Sequence, residues 1–97
     1  MVRYMVLLNF TEKGMGSVKD SVNRAENFRS AAAKAGAKVE SVFWTQGTYD
    51  GMFILSAPDE ATATAIVLEV GRSNNVKTCM SRAFDAEEFS KVVDKLG

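Results

Sequence analysis

The chain has 97 residues, twelve basic against twelve acidic, with one cysteine and no histidine. A length of this order makes one domain, and a balanced charge supplies no field to attract nucleic acid or an anionic membrane, so neither is expected as a partner. The lack of histidine excludes Ser-His-Asp and Cys-His catalysis by this chain alone and removes the commonest metal ligand, so no metal and no cofactor are expected.

The first element is a strand over residues 2–10. Tyr4, Val6, Leu8 and Phe10 alternate with Arg3, Met5, Leu7 and Asn9, and both faces carry large apolar residues. The stretch is short, Asn9 interrupts it and no small-residue cleavage site follows, so it reads as a strand and not as a leader. Thr11 to Gly16 reads as a loop with two glycines. Ser17 is a suitable N-cap, Asp20 suits a first turn, and Val18, Val22, Ala25, Phe28 and Ala32 recur at helical period. Gly36 sits where a left-handed C-cap is expected, which gives a helix over about 17–35.

A second strand spans residues 37–46, with Val39, Ser41 and Phe43 on one face and Val42 and Trp44 on the other. The Gly47-Thr48-Tyr49-Asp50-Gly51 turn joins it to a short apolar strand, Met52 to Ser56, as an antiparallel hairpin. Pro58 marks a helix start, with Asp59 and Glu60 at the positive end of the dipole; Ala61, Ala65 and Leu68 share a face, and Gly71 ends the helix. Ser73-Asn74-Asn75 is a turn before a fourth strand, Val76 to Phe84. Cys79 lies in that strand. It has no partner for an intramolecular disulfide, which fits a reducing compartment, and with no run near the ~20 apolar residues of a membrane span a cytoplasmic protein is expected. Asp85 and Glu88 form a capping box for a last helix whose apolar face is Phe89, Val92, Val93 and Leu96.

The order β-α-β-β-α-β with a C-terminal helix is the ferredoxin-like pattern, an α+β fold. Right-handed crossovers put both main helices on one face of a four-stranded antiparallel sheet of spatial order 4-1-3-2. Met5, Leu7, Trp44, Phe53 and Leu55 then make the other face apolar as well. Monomers rarely expose such a patch, so a homodimer or higher homo-oligomer built by sheet pairing is expected, the alternative being that the C-terminal helix folds back over the sheet.

Phe10-Thr11-Glu12-Lys13-Gly14, then Lys19-Asp20-Ser21 and Arg24, resembles the opening signature of the GYD family. Gly47-Thr48-Tyr49-Asp50 is similar to the motif that names it. Ala57-Pro58-Asp59-Glu60, Asn74-Asn75-Val76-Lys77-Thr78 and Arg82-Ala83-Phe84 follow in the same order, so the resemblance covers nearly the whole chain. It departs at Val22, where a proline is common. The resemblance implies a dimeric α/β barrel, in which two ferredoxin-like sheets pair. It implies little about chemistry, since similar folds include cofactor-independent monooxygenases, isomerases, haem-binding enzymes and ligand carriers.

The topology gathers candidate ligand-binding residues at one end of the sheet: Thr11, Lys19, Asp20, Tyr49, Asp50, Asn74 and Asn75, with Arg24 nearby and Arg82 toward the opposite end. Asp50 suits a general base or a contact to a cationic group, with the Tyr49 hydroxyl as donor; a tight turn needs the same residues, and that reading is favoured. Lys19 and Arg24 suit a carboxylate or phosphate at a helix start, against a solvated helix turn in which Asp20 pairs Arg24. Trp44, Phe43, Phe53 and Met52 suit a pocket for an apolar ligand, though core or dimer packing is the more ordinary role. Cys79 reads as a buried or interface thiol. Arg82 suits either a salt bridge across the dimer or an anionic ligand. No catalytic residue is assigned. A small-molecule-binding domain leads, ahead of a cofactor-independent monooxygenase or isomerase carried by Asp50 and Tyr49, and of a purely structural assembly unit.

Overall fold

The computed structural model describes residues 1–97 as β1 (Val2–Phe10), α1 (Glu12–Gly16), a 3-10 turn (Val18–Asp20), α2 (Ser21–Lys34), β2 (Lys38–Trp44), β3 (Gly51–Ala57), α3 (Glu60–Arg72), β4 (Val76–Ala83) and α4 (Ala86–Val93). The strands form one antiparallel sheet in the order β2-β3-β1-β4, the arrangement that the split pattern predicts, and the fold is α+β of the ferredoxin-like kind.

Register decides what each face carries. Tyr4 pairs with Leu55 and Arg82, Val6 with Phe53 and Met80, and Leu8 with Gly51 and Thr78. These residues look toward the helices, where Val6, Val39 and Leu55 are fully buried and meet Ala32 of α2 and Ala63 and Val67 of α3. The Phe28 ring of α2 stands on the Phe53 ring at 4.9 Å between centroids. The other face carries Met5 opposite Ile54, Leu7 opposite Met52 and Cys79, and Phe43 opposite Met52.

Three expectations about faces are corrected. The register shifts between Val39 and Ser41, so Glu40 is an extra residue in β2. Val39 faces the helices while Ser41 and Phe43 face away, against the shared face that strict alternation gave them. Phe53, Leu55 and Trp44 belong to the helix side, and the open face is apolar through Met5, Leu7, Phe43, Met52 and Ile54 instead. In α3 the buried residues are Ala63 and Val67, whereas Leu68 is exposed, so the face drawn through Ala61, Ala65 and Leu68 is the wrong one.

The predicted first helix is also divided. Residues 12–16 are helical, not a loop: Thr11 caps α1 by accepting from the Gly14 N–H at 3.0 Å. Ser17 precedes the 3-10 turn, not α2, and makes no side-chain capping bond. Its hydroxyl donates to the Lys13 carbonyl, and the chain then takes a 3-10 turn, with Asp20 preceding α2 without a side-chain capping bond. Val18 and Val22 are exposed as a result. The end of α2 is as expected: Gly36 has φ 82°, and the Ala37 N–H reaches back to the Ala32 carbonyl at 2.9 Å. At α3 the cap is Asp59, which accepts from Thr62 N–H at 2.7 Å, so Pro58 precedes the cap.

The capping box at Asp85 and Glu88 forms as predicted, and Arg82 ties α4 to β4 through Glu88 at 2.7 Å. Apart from an edge contact between Phe84 and Phe89, the apolar side of α4 is left open: Phe89, Val92, Val93 and Leu96 are exposed. The helix does not fold back over the sheet. The Cα radius of gyration is 14.5 Å, above the about 12.5 Å typical of a chain this long, and only 13 of 97 residues are buried.

Candidate functional site

A cleft of about 390 Å³ opens between the helices and the sheet. One wall is α2, through Ser21, Arg24, Ala25, Phe28 and Ala31, a stripe at helical spacing. The opposite wall is the end of α3 and the following turn, through Glu69, Val70, Ser73 and Asn75. The floor is the helix-facing side of the sheet, with Leu8, Phe10, Val42, Trp44, Phe53 and Val76. Gly51 lies in that floor beside Leu8; a Cβ there would come within 3.0 Å of the Phe43 carbonyl oxygen, so the strand approach admits only glycine without a shift. A second groove of about 260 Å³ continues along Ala31 and Ala32 of α2, Ala35 just past its end, and Ala65 and Ile66 of α3, sharing Phe28, Ala31 and Glu69 with the first. These small side chains are why the space exists, since the two helices cover the sheet without closing on each other.

The cleft is mostly apolar, which is the usual character of a small-molecule site. Its one buried polar side-chain atom without a partner is on Arg24. Nη1 donates to the Ser17 carbonyl at 2.9 Å and to the Ser17 hydroxyl at 3.1 Å, whereas Nη2 is shut from solvent and has no hydrogen-bond partner in the protein. Arg24 does not bond Asp20, as the helical spacing had offered. Glu69 is engaged with Arg72 at 2.6 Å.

The residues nominated from sequence fall into three groups. Arg24 and Asn75 line the cleft. Lys19 and Asp20 are exposed on the 3-10 turn. Thr11, Tyr49 and Asp50 stand around the end of β1, outside the cleft, and serve the backbone. Thr11 donates its N–H to the Asn75 carbonyl at 3.0 Å and its hydroxyl to the Asn74 carbonyl. The Lys13 ammonium adds a bond to the Ser73 carbonyl at 2.9 Å, and Gly14 is buried so tightly on the same turn that an added Cβ would lie 1.9 Å from the Asn75 carbonyl oxygen. The Asp50 carboxylate accepts from the Phe10 N–H at 2.8 Å. Its own N–H donates to the Leu8 carbonyl and its carbonyl accepts from Thr45, each at 2.9 Å. The Tyr49 carbonyl accepts from the Thr45 hydroxyl at 2.6 Å, and Gly47, at φ 99°, supplies the left-handed residue that the loop needs.

The cleft walls include residues not singled out from sequence: Ser21, Ala25, Val42, Glu69, Val70 and Ser73. Of these, Ala25 carried a signal as a member of an apolar stripe, Val42 as the neighbour of Trp44 on one strand face, and Ser21 and Ser73 within the signature and the turn, but none was offered as a site residue. Of the four residues offered as an apolar pocket, Trp44 and Phe53 stand in its floor; Phe43 and Met52 border it, with side chains on the open face by register.

The other end of the sheet is a network of charges. Arg3 pairs with Glu40 at 2.7 Å, Ser56 donates to the same carboxylate, and Arg82 bonds Glu88 while lying 4.6 Å over the Phe84 ring. Hydrogen bonds from Arg3 and then Ser56 hold the Glu40 carboxyl below its ordinary range, and Arg82 does the same for Glu88. Arg82 is thus occupied within its own chain. Cys79 is exposed, not buried.

The family model for the GYD domain matches residues 4–93. The chain belongs to the GYD family. No curated protein sequence matches it. Among solved structures, the crystal structure of MtbAldR is similar, with a TM-score of 0.69 and 15% identity over 87% of this chain and 52% of that one. This GYD chain therefore spans about half the length of that protein, and at such identity the likeness shows the fold alone. No helix of the GYD chain is long and apolar enough to cross a membrane.

Proposed function

We propose that this GYD chain is a small-molecule-binding domain that works as a homodimer or higher homo-oligomer. The observation that carries the reading is the cleft: about 390 Å³, walled by α2, α3 and the sheet, and mostly apolar with a few polar side chains in its walls. Acid–base catalysis by Asp50 and Tyr49 draws no support from this geometry, because neither residue lines the cleft and Asp50 is spent on the end of β1. The assembly part rests on the open face of the sheet. Met5, Leu7, Phe43, Met52 and Ile54 make an apolar surface that no element covers, and a second sheet laid on it would bury Cys79 as well. The lone cysteine keeps a reducing, cytoplasmic setting as part of the proposal.

Native mass spectrometry of the protein taken directly from expressing cells tests both parts. A species at a multiple of the 10.6 kDa chain mass, carrying additional small-molecule mass, is expected. Ile54→Lys, which puts a charge in the middle of the open face, should shift that species to the lone chain while leaving the cleft intact. A lone chain at micromolar concentration in the unaltered protein would sink the assembly, and failure of any small molecule to saturate Trp44 fluorescence would sink the cleft.

A further inference from the structure

Resting on that reading of the cleft, we infer that its ligand is an amphiphilic carboxylate: an apolar body lying along Phe28 and Trp44, with its carboxylate on Arg24. The guanidinium is held rigidly from one side by Ser17, through Nη1 at 2.9 and 3.1 Å. Its other nitrogen, Nη2, is shielded from solvent with no acceptor in the protein. A buried donor without an acceptor is costly, and a charge-assisted bond from Nη2 to a carboxylate oxygen removes that cost. An acceptor entering the cleft beside Arg24 recovers that cost once the guanidinium turns to meet it.

The charges around the cleft agree. Glu69 is its only carboxylate, and that group is paired with Arg72 at 2.6 Å on a largely exposed side chain. Ser21, the first residue of the 14-residue α2, lines the same wall one turn before Arg24, so the positive end of that helix lies toward the same region. Away from Arg24 the stripe turns apolar at once, through Ala25, Phe28 and Ala31, and leads into the second groove. One fork of single charge matches a monoanion. A phosphate dianion would bring a second charge into an apolar space with nothing to balance it.

The test uses the full-length chain and octanoate, octan-1-ol and octyl phosphate as probes, read by the fluorescence of Trp44, the chain's one tryptophan, which stands in the cleft floor. Octanoate should bind saturably and at least about tenfold more tightly than octan-1-ol. Arg24→Met, which keeps the apolar stem, should bring octanoate down to the affinity of the alcohol and leave the alcohol unchanged. If octan-1-ol binds as well as octanoate, or if octyl phosphate binds tenfold more tightly than octanoate, the inference is overturned while the cleft reading stands. If no probe binds, the cleft reading itself fails. Should Arg24→Met not fold, the comparison of the three probes on the unaltered protein still decides, and Arg24→Lys, which keeps the charge but loses the planar fork, should retain only part of the preference for octanoate.

Discussion

Replacing Asp50 by alanine separates the two roles that its position in the motif allows. Its carboxylate accepts from the Phe10 N–H at 2.8 Å, at the point where β1 runs out of ladder partners on the β3 side. The backbone bonds of Asp50 to Leu8 and Thr45 do not depend on its side chain and survive the substitution. What is lost is one hydrogen bond to an ionised acceptor in a half-buried setting, worth about 1.5–3 kcal/mol, with the Phe10 N–H left unpaired. For a domain of this size that is a fall in Tm of about 10–20 °C. Asp50→Asn keeps an acceptor oxygen without the charge and should lose about half as much. Thermal and urea unfolding followed by circular dichroism, at one protein concentration, measures both. Trp44 fluorescence with octanoate, taken at a temperature where the variants are folded, should show unchanged affinity. An alanine variant as stable as its parent, or a folded one that has lost more than tenfold in affinity, would refute the structural role.

Gly14→Ala places a methyl carbon 1.9 Å from the Asn75 carbonyl oxygen, so α1 must lift off the 73–75 turn and give up its bonds from Thr11 and Lys13; urea unfolding should show a loss of about 3 kcal/mol, and a loss below about 1 would mean that the turn yields freely. Glu40 gives a pH dependence. Its carboxyl is held below the ordinary 4.5 by Arg3 and Ser56, so its stabilisation is complete above that value and is lost as pH falls through the lower folded one. Glu40→Gln should therefore make the decline in stability below about pH 4.5 less steep, and parallel urea midpoints for the two proteins from pH 5 to pH 3 would rule the assignment out.

The element order, the sheet topology and the gathering of distant loops at one sheet end were legible because each rests on a strong local signal: β-period strands, a glycine at the end of α2, and a capping box before α4. The faces were less legible, for two physical reasons. A single inserted residue, Glu40, reverses the phase of half a strand, and nothing in the run Lys38–Trp44 announces it, since the bulge is stabilised from other strands by Arg3 and Ser56. In α3 the run Ala61–Leu68 is small or apolar on every side, so its period sets no direction, and burial is decided by which flank meets the sheet. The break between α1 and α2 was hidden for a related reason: Thr11 and Ser17 are both good caps, and only docking on the 73–75 turn chooses Thr11.

The site was hardest to read because the residue types that mark chemistry are also those that satisfy backbone. Gly, Thr, Asp and Asn recur in Thr11–Gly14, Tyr49–Asp50 and Asn74–Asn75, and these segments turn out to bind one another. Phe10 N–H meets Asp50, Thr11 N–H meets Asn75, and Gly14 lies flat on the same turn. The backbone groups of that clamp are matched by partners within the chain, which is what a strand end needs when its ladder stops. Arg24 differs in the one respect that matters for binding. Its Nη1 is matched and its Nη2 is not, and Arg24 is part of the wall of an apolar cleft. A buried group that folding leaves unsatisfied at such a wall marks a binding site better than a motif whose carboxylate is spent on the end of a strand, so the weight of function moves from the Gly47–Gly51 turn to the wall of α2.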